Sequence, residues 1–303
     1  MPRALVTGAA GFIGGRLARL LLAEGWEVHA LLGSACRREA LADLKDRIHL
    51  HDHDGSTEGM LALVARARPD VVFHLASLFL SEHRPDQVEE LVRSNVLLGT
   101  QLLEALAACG GGRFVNTGTS WQHFGTPDYR PVNLYAATKQ AFEDVLAYYA
   151  DAQGIAAVTL ELYDTYGPGD PRRKLIRILF EAARSGEPIQ LSPGEQVIEL
   201  LHVDDAVRAY ALAAHLLLAG EAPPRAAYLL PGERLSIRGL VARMSRATDR
   251  EIHALWGGRP YRPREVMEPV PPGRPLPGWT PRIGLDEGLR ACWQALLAEA
   301  PGG

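Results

Sequence analysis

Cysteine is scarce in this chain: Cys36, Cys109 and Cys292 are the only three in 303 residues, far apart and in no metal-ligand spacing. They read as reduced packing residues of a cytoplasmic protein. An excess of one charge sign is missing as well. The 32 Lys and Arg against 36 Asp and Glu leave a net charge of −4 and a pI near 6.2. That balance argues against an electrostatic nucleic-acid or membrane binder, although local cations can still hold an anionic substrate. Long apolar runs are absent too. The best segments, "LARLLLAEG" and "AYALAAHLLLAG", are too short or too polar-flanked to span a bilayer. The start, "MPRALVTGAAGFIGG", enters a strand-like run with no signal-peptide pattern. There is no internal repeat and no low-complexity tract.

What is present is a core-forming composition, 47% hydrophobic and 22% charged, enough for one large domain or two intimate ones. Short apolar runs ("RALVT", "WEVHALL", "RIHLH", "DVVFHLA", "GRFVNT", "IAAVTLEL") alternate with amphipathic stretches through the first half. Continuously apolar strands between such helices imply a parallel sheet covered on both faces, an α/β fold of the doubly wound Rossmann type. After Leu162 the pattern loosens into helices at about 173–186, 204–219 and 236–247. A proline-rich stretch from Gly257 to Pro281 and a last helix from Leu285 follow. The division expected is a dinucleotide domain over residues 1–165, with further sheet elements at about 195–210 and 226–232. Residues 166–303 would mainly form a smaller substrate-binding lobe, with the ligand cleft between the two.

The segment "ALVTGAAGFIGGRLARLL" sets Gly8, Gly11 and Gly14 between a strand and a helix. Gly8 permits the tight turn, Gly11 lets backbone N–H groups approach a pyrophosphate, and Gly14 allows close helix–strand packing. Phe12 and Ile13 complete this cofactor loop, with Leu75 and Ala76 opposite at the end of the fourth strand. A site for NAD usually closes the second strand with a carboxylate for the ribose diol. Here that strand ends in Leu32-Gly33, and Arg37 and Arg38 follow at once. A guanidinium fork suits a 2′-phosphate, so the pattern favours NADP(H) over NAD(H). Asp54 is a candidate adenine-edge contact, and Asp52 a weaker one.

In "NLYAATKQAFEDVLAYY", Tyr135 precedes Lys139 by four residues, which puts both on one helix face. A cation near the phenol favours the phenolate and moves its pKa from about 10 toward neutrality, where it can exchange a proton with a substrate oxygen. In these residues the chain resembles the extended short-chain dehydrogenase/reductases. The glycine loop, "VVFHLAS", "SNVLLGTQLLEA", "YAATK", "YGPG", "HVDD" and "GWTPRIGLDEGL" fall in that family's order over nearly the whole length. The resemblance implies that Tyr135 and Lys139 act with a Ser or Thr after the fifth strand. Counting back from Gly125, as the family's version of the segment suggests, gives Ser120, with Thr119 as the fallback. Its hydroxyl would stabilise a developing alkoxide.

Family members that dehydrate nucleotide sugars carry an Asp-Glu pair after that hydroxyl residue, whereas Trp121 and Gln122 stand here. Those that epimerise at carbons 3 and 5 carry a cysteine there, and this segment has none. A 4-epimerase keeps NAD bound, which suits a second strand lacking its acid poorly. The resemblance therefore implies an NADPH-dependent ketoreductase. It is closest to the CDP-abequose synthase-like branch, which acts on a CDP-, dTDP- or GDP-linked 4-keto-6-deoxyhexose. The alternatives are an epimerase, a reductase of a non-nucleotide carbonyl and, more remotely, a non-catalytic NADP-sensing regulator. Arg262 aligns with an arginine that often contacts the substrate diphosphate in this family. Arg172, Arg173 and Lys174 are further cationic candidates, and Trp121 and His123 are expected to line the sugar pocket. Ile198 and Glu199 stand where the family often has an arginine. His74 reads as a structural strand-end residue. A homodimer through helices around 95–108 and 135–150 is what the family implies.

Overall fold

The computed structural model describes residues 1–33, 38–271 and 273–299. β1 (Arg3–Thr7) runs into α1 (Phe12–Ala23), followed by β2 (Glu27–Leu32), β3 (His49–Asp52), α2 (Thr57–Ala67) and β4 (Val71–His74). α3 (Val88–Val92) and α4 (Leu98–Ala108) are joined through a π-turn at Arg93–Leu97. Then come β5 (Gly112–Thr119), α5 (Leu134–Gln153), β6 (Ile155–Leu162) and β7 (Asp164–Tyr166). The rest comprises α6 (Leu175–Ser185), β8 (Ile189–Leu191), β9 (Val197–His202), α7 (Val203–Ala219) and β10 (Arg225–Leu230). β11 (Glu233–Ser236), α8 (Ile237–Thr248), β12 (Ala254–Trp256) and α9 (Leu285–Ala298) complete it.

Seven strands form one parallel sheet in the order β10-β6-β5-β4-β1-β2-β3. Strand order reverses between β1 and β4, so the carboxyl ends of those strands open the crevice in which such sheets bind ligands. Both faces are buried, which explains why the strands read as unbroken apolar runs. Ala4, Val6 and Phe73 pack with Leu17 and Leu21 of α1 and Tyr210 of α7. Leu5, Val72 and Phe114 face α2, α4 and α5 through Met60, Leu102 and Phe142. The lobe has its own core of Leu179, Phe180, Leu240, Met244, Leu289 and Trp293.

Of the two later segments expected to rejoin the large sheet, only one does. β10 pairs with β6, but β9 pairs with β7 and β11 in a separate three-stranded sheet. The reason is the tight turn after β10. The amide of Gly232 donates to Glu199 at 2.9 Å, and a Cβ there would lie 2.2 Å from the Leu200 carbonyl. This closeness brings β11 back antiparallel onto β9. What returns to the large sheet from this region is α7, on the same face as α1.

Candidate active site

The cofactor loop is shaped by what its glycines lack. Gly8 has φ +69°, and a Cβ on it would sit 2.8 Å from the Ala76 nitrogen; one on Gly14 would sit 2.2 Å from the Gly8 carbonyl. α1 begins at Gly11 with no side-chain cap and no acid in its first turn, which leaves its amides directed at an anion. The opposite wall is pinned by Thr7. Its Oγ1 accepts the Leu75 and Ala76 amides at 3.1 and 3.0 Å, so its own hydrogen goes to His74 Nδ1, 2.9 Å away. His74 is buried, and burial pushes its pKa down to about 3. It is neutral and structural, as expected.

The cleft has a volume of about 250 Å³ and begins at this loop. Gly8, Gly11, Phe12, Ile13, Gly14 and Leu75 line one end; Thr119, Ser120, Trp121, Tyr135, Arg172 and Lys174 line the other. Ala76 is not among the lining residues; its backbone nitrogen packs against Gly8. Residues that the sequence reading passed over also line it: Ser77, Phe79, Tyr163 and Asp164. Ser77 ends the motif "VVFHLAS" and Asp164 stands two residues before "YGPG", so nearness to a motif was their available signal. Phe79 offered none.

α5 presents Tyr135 in its first turn because Asn133 caps it, accepting the Ala136 amide at 3.0 Å. The Asn133 side chain also holds the Leu80 and Ser81 carbonyls. Phe79 stands edge-on to Tyr135, 5.0 Å between centroids. Asn95, in the π-turn, accepts from Ser77 Oγ and the Leu78 amide and donates to Thr138 Oγ1. It locks this loop to α5. Lys139 lies one turn behind Tyr135, buried and outside the cleft lining.

The electrostatics correct one expectation. Burial pushes the Tyr135 phenol up to about 12, and Asp164 adds to the shift. Hydrogen bonds from Ser77 and Thr119, and the Arg172 charge, pull it only part of the way back. The phenol is therefore protonated at neutral pH, not drawn toward phenolate, because the desolvation of the site outweighs its cations. Burial also lowers Lys139, to about 8. Ser77, Thr119 and Ser120 all line the cleft with Tyr135, and the Thr119 hydroxyl accepts the Trp121 amide at 3.3 Å.

Other expected contacts are engaged elsewhere. His123 turns away from the cleft, with Nε2 3.5 Å from Glu161 and Nδ1 3.3 Å from the Asp128 carbonyl, because the turn at Ser120–Gln122 points its ring behind β5. Asp54 lies outside the cleft, binding the Ser56 amide and hydroxyl at 2.8 and 2.7 Å in the turn before α2. Arg38 pairs with Asp52; Arg37, like Cys36, lies outside the described residues. Glu199 is structural, holding Gly232 and lying 3.8 Å from Arg234.

Each cation at the substrate end has a carboxylate partner. Arg172 forks onto Asp170 with two 2.7 Å bonds and stacks 4.8 Å over Phe12. Lys174 is 3.5 Å from Asp164. Arg262 bonds Glu265 at 3.0 and 2.9 Å and lies 5.5 Å from the Trp121 ring centroid, beyond the cleft lining. Arg173 pairs with Glu181 on the exposed side. Glu27, His29 and His49 bring three metal-type ligand atoms within 4.8 Å of one another. They stand at the amino ends of β2 and β3, away from the cleft, and Arg3 already lies 3.4 Å from Glu27.

Sheet order, glycine loop and tyrosine–lysine pair together are those of a Rossmann-type α/β protein of the extended short-chain dehydrogenase/reductase kind. A sequence model of the NAD dependent epimerase/dehydratase family matches residues 4–225. The chain belongs to that family. It is 25% identical to CDP-abequose synthase of Yersinia pseudotuberculosis over 88% of this chain and 91% of the relative. It is 29% identical to dTDP-6-deoxy-L-talose 4-dehydrogenase (NAD(P)(+)) of Kitasatospora kifunensis, over 97% and 95%. A solved structure of UDP-glucose 4-epimerase from Thermus thermophilus in complex with NAD superposes with a TM-score of 0.81 at 27% identity, covering 98% of this chain and 99% of that one. No helix among the described residues is long and apolar enough to cross a membrane.

Proposed function

We propose that this protein reduces the 4-keto group of a nucleotide-linked 4-keto-6-deoxyhexose, with NADPH as the hydride donor. The observation that carries the reading is that Tyr135, with Thr119 and Ser120, lines a cleft that opens onto the glycine cradle. A reduction needs a phenol that still holds its proton, to give to the oxygen of the former carbonyl. The Thr119 hydroxyl, with Ser120 beside it, steadies the negative charge on that oxygen. Lys139 supplies positive charge behind the phenol. The glycine cradle and the first turn of α1 hold the dinucleotide, which supplies hydride when bound.

Elimination of water finds no catalyst at the corresponding place. Trp121 cannot titrate, and the Gln122 amide is occupied by the Thr119 amide, Gln140 and Glu143. The names of the two curated relatives, one a CDP-sugar synthase and one a dTDP-sugar 4-dehydrogenase, support a 4-keto sugar. NADP is inferred from a second strand that ends without an acid and is followed by Arg37 and Arg38. The cations Arg172, Lys174 and Arg262 would hold the diphosphate by sharing their present carboxylate partners. Exposed Val88, Val92, Leu97 and Tyr148, on α3, α5 and the π-turn, supply an apolar face for a homodimer. A second reading, 4-epimerisation with retained NAD, is favoured by the UDP-glucose 4-epimerase structure bound to NAD.

The test is NADPH oxidation with CDP-, dTDP- and GDP-4-keto-6-deoxyhexoses offered in parallel, beside NADH controls. Turnover with one of them establishes the reductase and names its nucleotide. Tightly retained NAD with interconversion of a UDP-hexose would establish the epimerase instead. NADPH binding with no turnover on any sugar would leave a non-nucleotide carbonyl or a sensor.

A further inference from the structure

Behind the cleft wall lies a group of titratable side chains that the proposed reaction leaves without a role. Gly118, in β5 directly before Thr119, makes room for them. A Cβ on Gly118 would sit 3.0 Å from Glu161 Cγ and 3.1 Å from Glu143 Oε1. Sharing that one point, the Glu161 methylene and the Glu143 carboxylate are no more than about 6 Å apart, so the two side chains are neighbours and the Glu161 charge acts on Glu143.

The hydrogen-bond accounting constrains where protons sit. Gln122 Oε1 accepts the Thr119 amide at 3.0 Å, so the side-chain amide cannot be flipped. Its two N–H bonds go to Gln140 and Glu143, at 3.0 and 3.1 Å. Glu143 is thus wired to the backbone of Thr119. His123 Nδ1 faces the Asp128 carbonyl, which can only accept, so Nδ1 carries the hydrogen. Its Nε2 faces Glu161 Oε2 at 3.5 Å, an oxygen with no hydrogen bond among the described residues. An unprotonated nitrogen against a carboxylate is repulsive, so either the ring or Glu161 holds an additional proton.

We propose that Glu143, Glu161 and His123 form a partly buried acid–base unit serving Lys139. Glu143 is the counter-charge of Lys139, and the Glu161–His123 pair sets how many protons Glu143 holds. These are positioning residues, since none lines the cleft. The inference rests on the oxidoreductase reading, because it serves a charge on Lys139 that the reaction uses.

The groups facing the unit come from four elements. Lys139 and Glu143 are four residues apart on α5, on one helix face, and the Lys139 charge acts on His74 of β4. Glu143 feels Gln122, Glu161 of β6, Lys139 and His123. Burial pushes Glu143 up to about 7, the Gln122 bond opposing and the Glu161 charge adding to it. Burial would lower His123, but the Glu161 carboxylate facing it holds it above its ordinary value. The sign for Lys139 is direct. Removing the negative charge of Glu143 makes the ammonium easier to deprotonate, so Lys139 loses its charge at lower pH.

Infrared titration of the full-length protein tests the unit without any substrate. In the wild type, the carbonyl band of a buried carboxylic acid should fade near neutral pH. It should vanish in Glu143→Gln and move about one unit lower in Glu161→Gln, where the like charge is gone. His123→Asn keeps both carboxylates and serves should Glu143→Gln not fold; without the nearby cation the band should persist to higher pH. A wild-type protein with no carboxyl titrating near neutrality overturns the inference, as does Glu161→Gln leaving the band unmoved. Where a substrate turns over, the alkaline limb of kcat in Glu143→Gln should fall about one pH unit lower, a tenfold change in proton affinity, with KM within about twofold. Superimposed profiles would equally refute it. Absence of turnover on every substrate sinks the proposed reaction alone, because the infrared titration still decides the unit.

Discussion

The two ends of the cleft are built from opposite materials. The cofactor end is backbone: two glycines whose Cβ atoms would strike Ala76 and Gly8, an uncapped helix start, and a strand end pinned through Thr7. The substrate end is side chains, and its cations Arg172, Lys174 and Arg262 are each drawn onto a carboxylate of the same lobe or of the adjoining loops. A backbone cradle stays in place whether or not it is filled. A ring of paired cations has to exchange partners to hold an anion, and each exchange gives back part of the binding energy. Tyr135 stands at the boundary, which makes it the place where the comparison is tested hardest.

Tyr135→Phe should have the largest effect. Losing the proton donor should cut kcat by about 10²–10⁴-fold while the dissociation constant for the dinucleotide moves by less than about threefold. Single-turnover kinetics and cofactor titration read the two separately. Substantial residual activity would reassign the proton donor. Gly14→Ala comes next and attacks the cofactor end. With a Cβ 2.2 Å from the Gly8 carbonyl, α1 must shift, at a cost of about 1–3 kcal/mol. Dinucleotide affinity should fall by at least about tenfold, seen by fluorescence titration, along with a lower melting temperature. An unchanged affinity would mean that the cradle is not what holds the cofactor.

The choice between the two hydroxyls is a smaller effect but a sharper test. Thr119→Val should lower kcat by about 10-fold to 10²-fold, since its hydroxyl lines the cleft with Tyr135. Ser120→Ala should cost less. The reverse order would restore the assignment made by counting back from Gly125.

How much of this was legible in the sequence follows the same division. The sheet was readable because parallel strands buried on both faces must be apolar throughout, as in "RALVT" and "DVVFHLA". Gly8 and Gly14 were readable because only glycine satisfies those contacts. β9 was misplaced because "VIELLH" carries the same apolar signal whichever sheet it joins; the Gly232–Leu200 approach that decides the matter is a tertiary contact. The present contacts of His123 and Asp54 were not legible for a related reason. Nearness in sequence to a site residue does not say which way a ring turns after a short 3-10 turn, or that a carboxylate is spent on the Ser56 amide. The direction of the Tyr135 shift was missed because i,i+4 spacing reports the cation and says nothing of desolvation.

The smallest effect belongs to the substrate end, and it follows from the pairing. Arg262→Ala removes a guanidinium that already satisfies Glu265 through two hydrogen bonds. Only the part of its charge that an incoming diphosphate can recapture is lost. KM should therefore rise by about three- to tenfold, with kcat within about twofold, the pattern of lost uniform binding. Glu265→Gln should act in the opposite direction, because freeing Arg262 from its partner lowers the cost of the exchange, and KM should fall. If instead Arg262→Ala lowers kcat in step with kcat/KM, the arginine contributes to the transition state. The substrate end would then be as preorganised as the glycine cradle, and the contrast between the two would disappear.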